Sequence, residues 1–372
     1  MVRRLGAAVL AVLLLLPGQV RAAEEKGITA RGWALMEAES GRLLMGENEG
    51  EKLPMASTTK IMTALLILEA GEDLDTLVTV PKEAAKTEGS SLHLSAGERL
   101  SLRDLLYGLM MVSGNDAAVT LAVHLDGSVA AFADRMNRRA AALGCQNSHF
   151  TNPHGLHDPD HYTCALDLCR IARAAMALPL FRALVSAETY AASTGSRPRT
   201  FRTKNRVLTQ IEGGCGVKTG YTKKAGRCLC FAAQRQGMLL IGAALNAPDM
   251  WADAETILDR GFAAFILRPF LSPGQTVGRV AVDGGMKKAL PAAATEGILY
   301  PVRRDGSEAA TVQVRLLDRI PAPVEQGCVL GEAALLVNGT PVLTVPLIAR
   351  EGAQARRFGA ALFRVMEGYL IA

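Results

Sequence analysis

The residues best suited to chemistry are Ser57 and Lys60, which precede an apolar run at residues 61–68. A serine and a lysine three positions apart share one face of a helix, so the hydroxyl and the amine can touch. At a helix N-terminus, free backbone N–H groups and the positive end of the dipole stabilise an oxyanion or an alkoxide. The pair therefore predicts a serine nucleophile activated by lysine. Taken alone the spacing is weak, because a capping serine followed by a solvated lysine has the same pattern.

Two tripeptides later in the chain strengthen this hypothesis. Ser113-Gly114-Asn115 separates a predicted helix at 102–112 from another at 116–125, and such a break directs side chains into a cleft. Lys218-Thr219-Gly220 lies in a β-like run. Three such segments in this order are far less expected by chance than one, so we interpret them as parts of a single site.

Four of the six histidines fall between residues 149 and 161 beside two aspartates, so a metal site must be considered. The stretch has two prolines, one of them inside the H-x-x-x-H spacing of residues 157–161, so no H-x-x-x-H helix is expected, whereas metal ligands normally come from a scaffold that fixes their geometry. We therefore interpret it as a structured loop at the rim of the cleft, with no metal and no cofactor. His154 either lines the cleft or caps the turn at Pro153, and we favour the cap.

The surrounding elements must position these residues. The periodicity predicts a hairpin at 33–37 and 42–46, a strand at 76–80, helices at 57–70, 128–143 and 165–178, strands at 201–203, 216–219, 227–235 and 238–245, and a helix at 249–267. Helices combined with antiparallel strands are typical of an α+β domain. Short valine-rich runs at 276–347 predict a small all-β domain.

Both ends of the chain have distinctive patterns. Residues 1–22 read as a secretory signal, with Arg3 and Arg4, an apolar core too short to span a bilayer, and a small-x-small site ending at Ala22. At 353–372, apolar residues share one face opposite arginines, which predicts an amphipathic helix at a membrane interface or, as the alternative, one packed on its own domain. The predicted divisions are a signal at 1–22, an enzymatic domain at 23–270, a β domain at 271–349 and a helix at 350–372.

Charge and cysteine content limit the function further. Removal of the signal takes three arginines from a formal charge of +5, so the remaining chain is nearly neutral. No basic stripe with interleaved aromatic residues is present, which excludes a nucleic-acid partner. Export permits disulfides, but we expect most of the seven cysteines to be buried thiols.

Four segments together resemble the serine D-alanyl-D-alanine carboxypeptidases, which are low-molecular-mass penicillin-binding proteins. The segments are Met55-Ala56-Ser57-Thr58-Thr59-Lys60, Ser113-Gly114-Asn115-Asp116-Ala117-Ala118, Asn152-Pro153-His154-Gly155-Leu156 and Gly216-Val217-Lys218-Thr219-Gly220-Tyr221-Thr222. The resemblance is strong from residue 30 to about 267 and covers the β domain and tail only by arrangement. It implies a β-lactamase/transpeptidase-like domain, in which an antiparallel sheet with helices is joined to an all-helical lobe.

The resemblance also implies a role for each residue. Ser57 would attack the D-Ala-D-Ala carbonyl, with Lys60 as the base because burial and Lys218 both lower its pKa. Ser113 would relay a proton to the departing amine, and Asn115 would position Lys60 or the peptide. The implied substrate-binding residues are Lys218 and Thr219 for the terminal carboxylate, Gly220 for clearance, the Tyr221 N–H with that of Ser57 as oxyanion hole, and Arg206 as a second carboxylate ligand. A surface arginine is the alternative for Arg206.

The implied activity is removal of the terminal D-Ala from peptidoglycan stem peptides, outside the cytoplasmic membrane or in the cell wall space, with β-lactams as covalent inhibitors. A DD-endopeptidase and a β-lactamase share the motifs, and a non-catalytic penicillin-binding module is a further alternative. No E-x-x-L-N segment of the kind that holds the hydrolytic water in class A β-lactamases lies between Ser113 and Lys218. We therefore predict that penicillins acylate Ser57 and stay attached.

Overall fold

The computed structural model describes residues 27–356. The predicted signal at 1–22 therefore lies outside the described residues, and so does 357–372 of the predicted terminal helix. Within 350–356, where that helix was expected to begin, the chain is not helical: Ala353 and Ala355 form isolated bridges with Val324 and Gly285. The prediction of a helix is wrong for these seven residues, because backbone pairing with the β domain satisfies their polar groups.

The first domain combines nine strands and eight helices. Its strands are β1 (Gly32–Glu37), β2 (Leu43–Glu47), β3 (Leu77–Thr79), β4 (Arg99–Ser101), β5 (Thr189–Ala192), β6 (Arg199–Arg202), β7 (Gly214–Thr222), β8 (Gly226–Arg235) and β9 (Met238–Leu245). Its helices are α1 (Lys60–Glu69), α2 (Leu102–Met111), α3 (Asn115–Asp126), α4 (Val129–Ala142), α5 (Ala165–Ala177), α6 (Pro179–Ser186), α7 (Val207–Gln210) and α8 (Met250–Ala264). The predicted α+β class is confirmed.

A five-stranded antiparallel sheet with the order β2-β1-β9-β8-β7 forms the middle layer. Side chains of β8 alternate between its faces: Cys230 and Ala232 join the core under α1 and α5, whereas Phe231 joins the core under α8. This continuous apolar run is why β8 can be buried on both sides. The strand β7 remains at the sheet edge, beside the segment that carries Ser57.

The helical lobe follows from capping and burial. Ser101 caps α2 by accepting a hydrogen bond from Asp104 N, and Ser128 caps α4 in the same way through Ala131 N. Eight of the ten residues of α1 are buried, so this helix runs through the core instead of along a surface. The short helix α6 and the strand β5 were not predicted from the sequence, whereas the strand predicted at 201–203 corresponds to β6.

The second domain is built from strands alone, as predicted. Its strands are β10 (Phe265–Leu271), β11 (Thr276–Asp283), β12 (Ala289–Ala294), β13 (Ile298–Arg303), β14 (Ala310–Leu316), β15 (Arg319–Pro321), β16 (Val329–Val337) and β17 (Thr340–Ala349). Six of them form one sheet with the order β14-β16-β17-β12-β11-β15, and β10 pairs with β13. The helix predicted at 249–267 ends at Ala264, because Phe265 onwards pairs with β13.

Arg42 connects the two domains. Its guanidinium, beyond the end of β1, pairs with Glu308 and donates to Pro301 O at 2.6 Å. It also lies 5.4 and 5.5 Å from the ring centroids of Phe265 and Tyr300. Among residues 27–356, no single helix has the length and apolar composition to cross a membrane. The helices α3 and α4 meet both criteria only when they are counted together, and they are bent sharply relative to each other.

Candidate active site

Ser57 lies in a short 3-10 turn, Ala56–Thr59, that leads directly into α1. The turn begins with Ala56 at a φ of +47°, a left-handed conformation that costs energy for a residue with a side chain. Ser57 is half-buried, whereas both of its neighbours in the turn are buried. The predicted helix at 57–70 is therefore confirmed apart from its first turn, which is tighter than an α-helix.

Lys60 is the first residue of α1 and is completely buried. Its Nζ lies 2.9 Å from Ser57 Oγ, 2.7 Å from Asn115 Oδ1 and 2.7 Å from His154 O. Burial lowers the pKa of Lys60 well below its usual value, and the charge of Lys218 lowers it further, while Asp116 acts in the opposite direction. Both causes expected from the sequence are present.

These three contacts fit a neutral amine. The carbonyl oxygens of Asn115 and His154 can only accept, so they take the two N–H groups of an uncharged Lys60. The remaining lone pair then faces the hydroxyl of Ser57 at hydrogen-bond distance. This is the geometry of a general base beside its nucleophile.

The break between α2 and α3 supplies the next two residues. Ser113 has a φ of +64°, and its Oγ is buried with no hydrogen-bond partner among the described residues. Asn115 lies on the first turn of α3, where its Nδ2 donates to Glu88 O at 2.6 Å and its Oδ1 accepts from Lys60. Ser113 thus retains unused hydrogen-bonding capacity at the cleft, whereas Asn115 is fully engaged by the protein.

The Ser57 turn, Lys60 and the break between α2 and α3 form one wall of a cleft, the helical wall. The strand β7 forms the opposite wall, the strand wall. Lys218 is 2% exposed and donates to Thr219 O at 2.9 Å, and burial lowers its pKa to about 7. Gly220 is required by close approach: a Cβ there would lie 2.9 Å from Ser57 N and 3.1 Å from Met55 O. Tyr221 follows with its side chain 65% exposed. The strand therefore passes directly over the turn that carries Ser57.

The two walls enclose a cleft of about 580 Å³. Arg206 lines it, with its guanidinium 6.0 Å from the centroid of the Trp251 ring. The lining contains Ser57, Ser113, Lys218, Thr219, Gly220 and Tyr221 together with Ser90, Met111, Val112, Lys204, Arg206, Arg227, Met250 and Trp251. Sequence reasoning missed the second group except Arg206, because they come from segments without a recognisable motif.

The histidine-rich loop does not form the rim of this cleft, because none of residues 149–161 lines it. The loop instead packs behind α1, where Pro153 O accepts from Thr63 Oγ1 at 2.6 Å. The ring of His154 accepts from Leu156 N at 3.1 Å, which supports its interpretation as a turn cap. Within residues 27–356, no group of three or more histidine, cysteine or acidic side chains could hold a metal ion.

The contact between His161 and Thr59 was not predicted from the sequence. It is buried, its Nδ1 accepts from Thr151 N at 3.0 Å, and its Nε2 lies 2.8 Å from Thr59 Oγ1. Because Thr59 Oγ1 also donates to Ala56 O at 2.8 Å, the hydrogen bonds run from the ring to the strained residue beside Ser57. Burial lowers the pKa of His161 to about 4. Among the four histidines at 149–161, nothing in the sequence distinguishes His161 as the one that contacts Thr59.

All seven cysteines are free thiols, and four of them, Cys164, Cys169, Cys228 and Cys230, are buried. Cys228 and Cys230 lie opposite Gly220 and Lys218 on the neighbouring strand. The expectation that most are buried thiols is confirmed. Burial raises the pKa of Cys228 to about 11, so this thiol is not a competing nucleophile.

The D-alanyl-D-alanine carboxypeptidase family matches residues 19–249, and the C-terminal domain of penicillin-binding protein 5 matches residues 265–354. The chain is 31% identical over 347 residues to the D-alanyl-D-alanine carboxypeptidase DacF of Bacillus subtilis, which covers 91% of this chain and 89% of the relative. It is 30% identical over 351 residues to DacC of Escherichia coli, with coverages of 90% and 87%.

Solved structures show the same relationship. Penicillin-binding protein 5 of Haemophilus influenzae superposes with a TM-score of 0.75 at 27% identity, covering 88% of this chain and 98% of that one. The DD-transpeptidase of Streptomyces K15 has a TM-score of 0.62 at 35% identity and covers 65% of this chain and 100% of its own. The first structure covers both domains, while the second covers a shorter part of the chain.

Proposed function

The chain belongs to the D-alanyl-D-alanine carboxypeptidase family, and we propose that it removes the terminal D-Ala of peptidoglycan stem peptides through an acyl-enzyme on Ser57. The chain is a D-Ala-D-Ala carboxypeptidase of the serine hydrolase type. The observation that carries the proposed mechanism is the set of contacts around Lys60. Two carbonyl acceptors lie 2.7 Å from Lys60 Nζ, and in a neutral Lys60 that donates to both, the lone pair would face Ser57 Oγ at 2.9 Å.

In the acylation step, Lys60 takes the hydroxyl proton while Ser57 Oγ bonds to the penultimate D-Ala carbonyl carbon. The carbonyl oxygen becomes an oxyanion, for which the backbone N–H groups of Ser57 and Tyr221 are the donors. Support comes from the close approach at Gly220, since a β-carbon there would crowd Ser57 N. Loss of one such donor costs about 3 kcal/mol of transition-state stabilisation.

The leaving D-Ala must receive a proton as its C–N bond breaks. Ser113 Oγ donates to this amine and takes the proton that Lys60 acquired, because its hydroxyl is buried at the cleft and has no hydrogen-bond partner in the described part of the chain. Lys218, Thr219 and Arg206 bind the terminal carboxylate of the same residue. All three line the cleft, and two of them are cationic side chains.

Water then attacks the ester, with neutral Lys60 as base, and Ser57 leaves with the proton. A β-lactam acylates Ser57 by the same first step, but its amine remains tethered to the acyl group and blocks the approach of water. We therefore expect a long-lived penicilloyl-enzyme.

Release of D-Ala from an N-acylated peptide ending in D-Ala-D-Ala tests the proposal, with Ser57→Ala as the comparison. The wild type is expected to release D-Ala and to retain a fluorescent penicillin, and Ser57→Ala to do neither. Label retained by the variant would refute the nucleophile. Rapid hydrolysis of a chromogenic cephalosporin would identify a β-lactamase, and cleavage of cross-linked muropeptides an endopeptidase.

We also propose that the protein acts outside the cytoplasmic membrane and attaches to its surface through residues 357–372. The support is the signal-like pattern at 1–22 and the cationic amphipathic pattern of the tail. Expression of the full chain and of a chain ending at Arg356 separates the alternatives. The full chain is expected to sediment with membranes and the shorter one to remain in the supernatant; equal sedimentation would refute the tail as the attachment.

A further inference from the structure

The rim of the active-site cleft is positively charged. Lys204, Arg206 and Arg227 line the cleft with exposed side chains, and no aspartate or glutamate is among the lining residues. Within residues 27–356, none of the three forms an ion pair with a carboxylate, although many other arginines of the chain do. Three cations held together without counter-charges repel one another and attract an anion.

The position of each cation relative to β7 decides which part of a substrate it meets. In the proposed function, Lys218 and Thr219 bind the terminal carboxylate, and Tyr221 N binds the carbonyl of the bond that is cut. Moving from 219 to 221 along the strand therefore corresponds to moving from the C-terminus of the substrate toward its N-terminal part. Residues beyond Tyr221 face the acyl portion, which stays on Ser57 after D-Ala has left.

Arg227 is the cation on that acyl side. It lies on β8 directly opposite Tyr221 in the antiparallel ladder. Lys204, by contrast, shares a small cavity with Val217, Lys218 and Thr219, on the side of the leaving residue. The terminal carboxylate thus has cations of its own, and Arg227 is left for a different anionic group.

Two hydrogen bonds to the segment after β9 hold the backbone and the guanidinium of Arg227 in place. Its Nη1 donates to Pro248 O at 2.7 Å, and its own carbonyl accepts from Ala247 N at 2.7 Å. A guanidinium has five N–H donors in a planar fork, so most of them remain free. An arginine held by one nitrogen and open at the others is suited to a carboxylate, which it can bind by two parallel hydrogen bonds.

We propose that Arg227 recognises a free carboxylate on the acyl portion of the stem peptide, and so selects acidic peptides over amidated ones. This inference rests on the proposed function of the same cleft. A carboxamide of equal size can accept one hydrogen bond but carries no charge. A charge-assisted pair at a partly exposed site corresponds to about tenfold in kcat/KM.

The test uses two synthetic peptides ending in D-Ala-D-Ala that differ only in the residue before that dipeptide, where one has a side-chain carboxylate and the other the carboxamide. The wild type is expected to prefer the carboxylate about tenfold in kcat/KM, mainly through KM. In Arg227→Gln the preference is expected to disappear because the acidic peptide loses affinity. Arg227→Lys should retain part of it.

Lys224→Gln is the matched control, since Lys224 is exposed, lies on the same β7–β8 turn region, loses the same charge and does not line the cleft. It should keep the full preference. The circular dichroism spectrum of Arg227→Gln and its cooperative thermal transition should match those of Lys224→Gln and show that the variant is folded.

A preference that survives in Arg227→Gln, or that falls equally in Lys224→Gln, would overturn the inference, as would a wild type without preference. If the wild type released D-Ala from neither peptide, the proposed function itself would fail, and this inference with it.

Discussion

The two walls of the cleft each bury a lysine, but they surround it differently. Lys60, on the helical wall, lies within hydrogen-bond distance of three oxygen atoms from three separate segments. Lys218, on the strand wall, has one such oxygen among residues 27–356, the carbonyl of the next residue. Burial lowers the pKa of both amines. Oxygen atoms of the protein thus satisfy the amine of Lys60 on the helical wall, whereas Lys218 on the strand wall keeps N–H donors for a ligand.

This difference explains how two nearby lysines can have opposite tasks. Lys218 can be charged near neutral pH, because its pKa is about 7 and a substrate carboxylate would raise it again. Once charged, it disfavours a second ammonium at Lys60. The strand wall therefore binds the anion and, by doing so, helps to keep the base of the helical wall neutral.

The largest expected effect follows from removing the base. Lys60→Met should lower the rate of acylation by a fluorescent penicillin about 10³-fold, because no other described group contacts Ser57 Oγ as an acceptor. Lys60→Arg should be equally slow, since a guanidinium stays protonated and cannot accept the proton. Acylation of either variant near the wild-type rate would show that the two walls do not differ in the way described.

The next effect concerns carboxylate binding on the strand wall. Lys218 is an ammonium below pH 7 and loses its proton as the pH rises through about 7. KM for a D-Ala-D-Ala peptide should therefore increase above pH 7, by up to about tenfold for loss of one charge-assisted contact. In Lys218→Arg the charge persists, and KM should not show this rise. Steady-state kinetics between pH 6 and pH 9 would measure both, and an identical rise in Lys218→Arg would exclude Lys218 as its source.

Sequence reasoning succeeded where the chemistry depends on neighbours along the chain. The spacing of Ser57 and Lys60 is local to one helix turn, whereas Ser113, Lys218 and Gly220, which are distant in the sequence, were assigned to the site through their motifs. Sequence reasoning failed where two distant segments meet without a recognisable motif. Nothing at His161 indicates that its ring contacts Thr59, 102 positions earlier. For the same reason Arg227, Trp251 and Lys204 could not be assigned to the cleft.

The contact between His161 and Thr59 gives the third prediction, which concerns the helical wall. Thr59→Val removes the hydroxyl that joins His161 to Ala56 O, so the strained turn under Ser57 loses a support. Acylation should slow about tenfold, with KM little changed, because the effect is on the position of the nucleophile.

Thr63→Val is the matched control for this experiment. It removes a buried hydroxyl one turn further along α1, which bonds Pro153 O in the same loop at 2.6 Å. Both variants should lose similar stability, about 1 kcal/mol. If Thr63→Val slowed acylation as much as Thr59→Val, the loss would reflect general weakening of the wall and not the support of the Ser57 turn.

The smallest expected effect is on stability, and it separates the two lysines again. Between pH 7 and pH 10.5 the unfolded chain binds a proton at Lys218 that the folded protein does not, so its burial costs stability that is regained as the pH rises. Lys218→Met should therefore raise Tm at pH 7 by roughly 2–4 °C, equivalent to about 1 kcal/mol, and raise it less at pH 10.

Lys60→Met also removes the cost of burying an amine, but it leaves Asn115 Oδ1 and His154 O without a donor, at about 1–3 kcal/mol each. Its Tm should not rise. Equal stabilisation by both substitutions would mean that the oxygen atoms around Lys60 contribute nothing to the fold, and that the two walls hold their lysines alike.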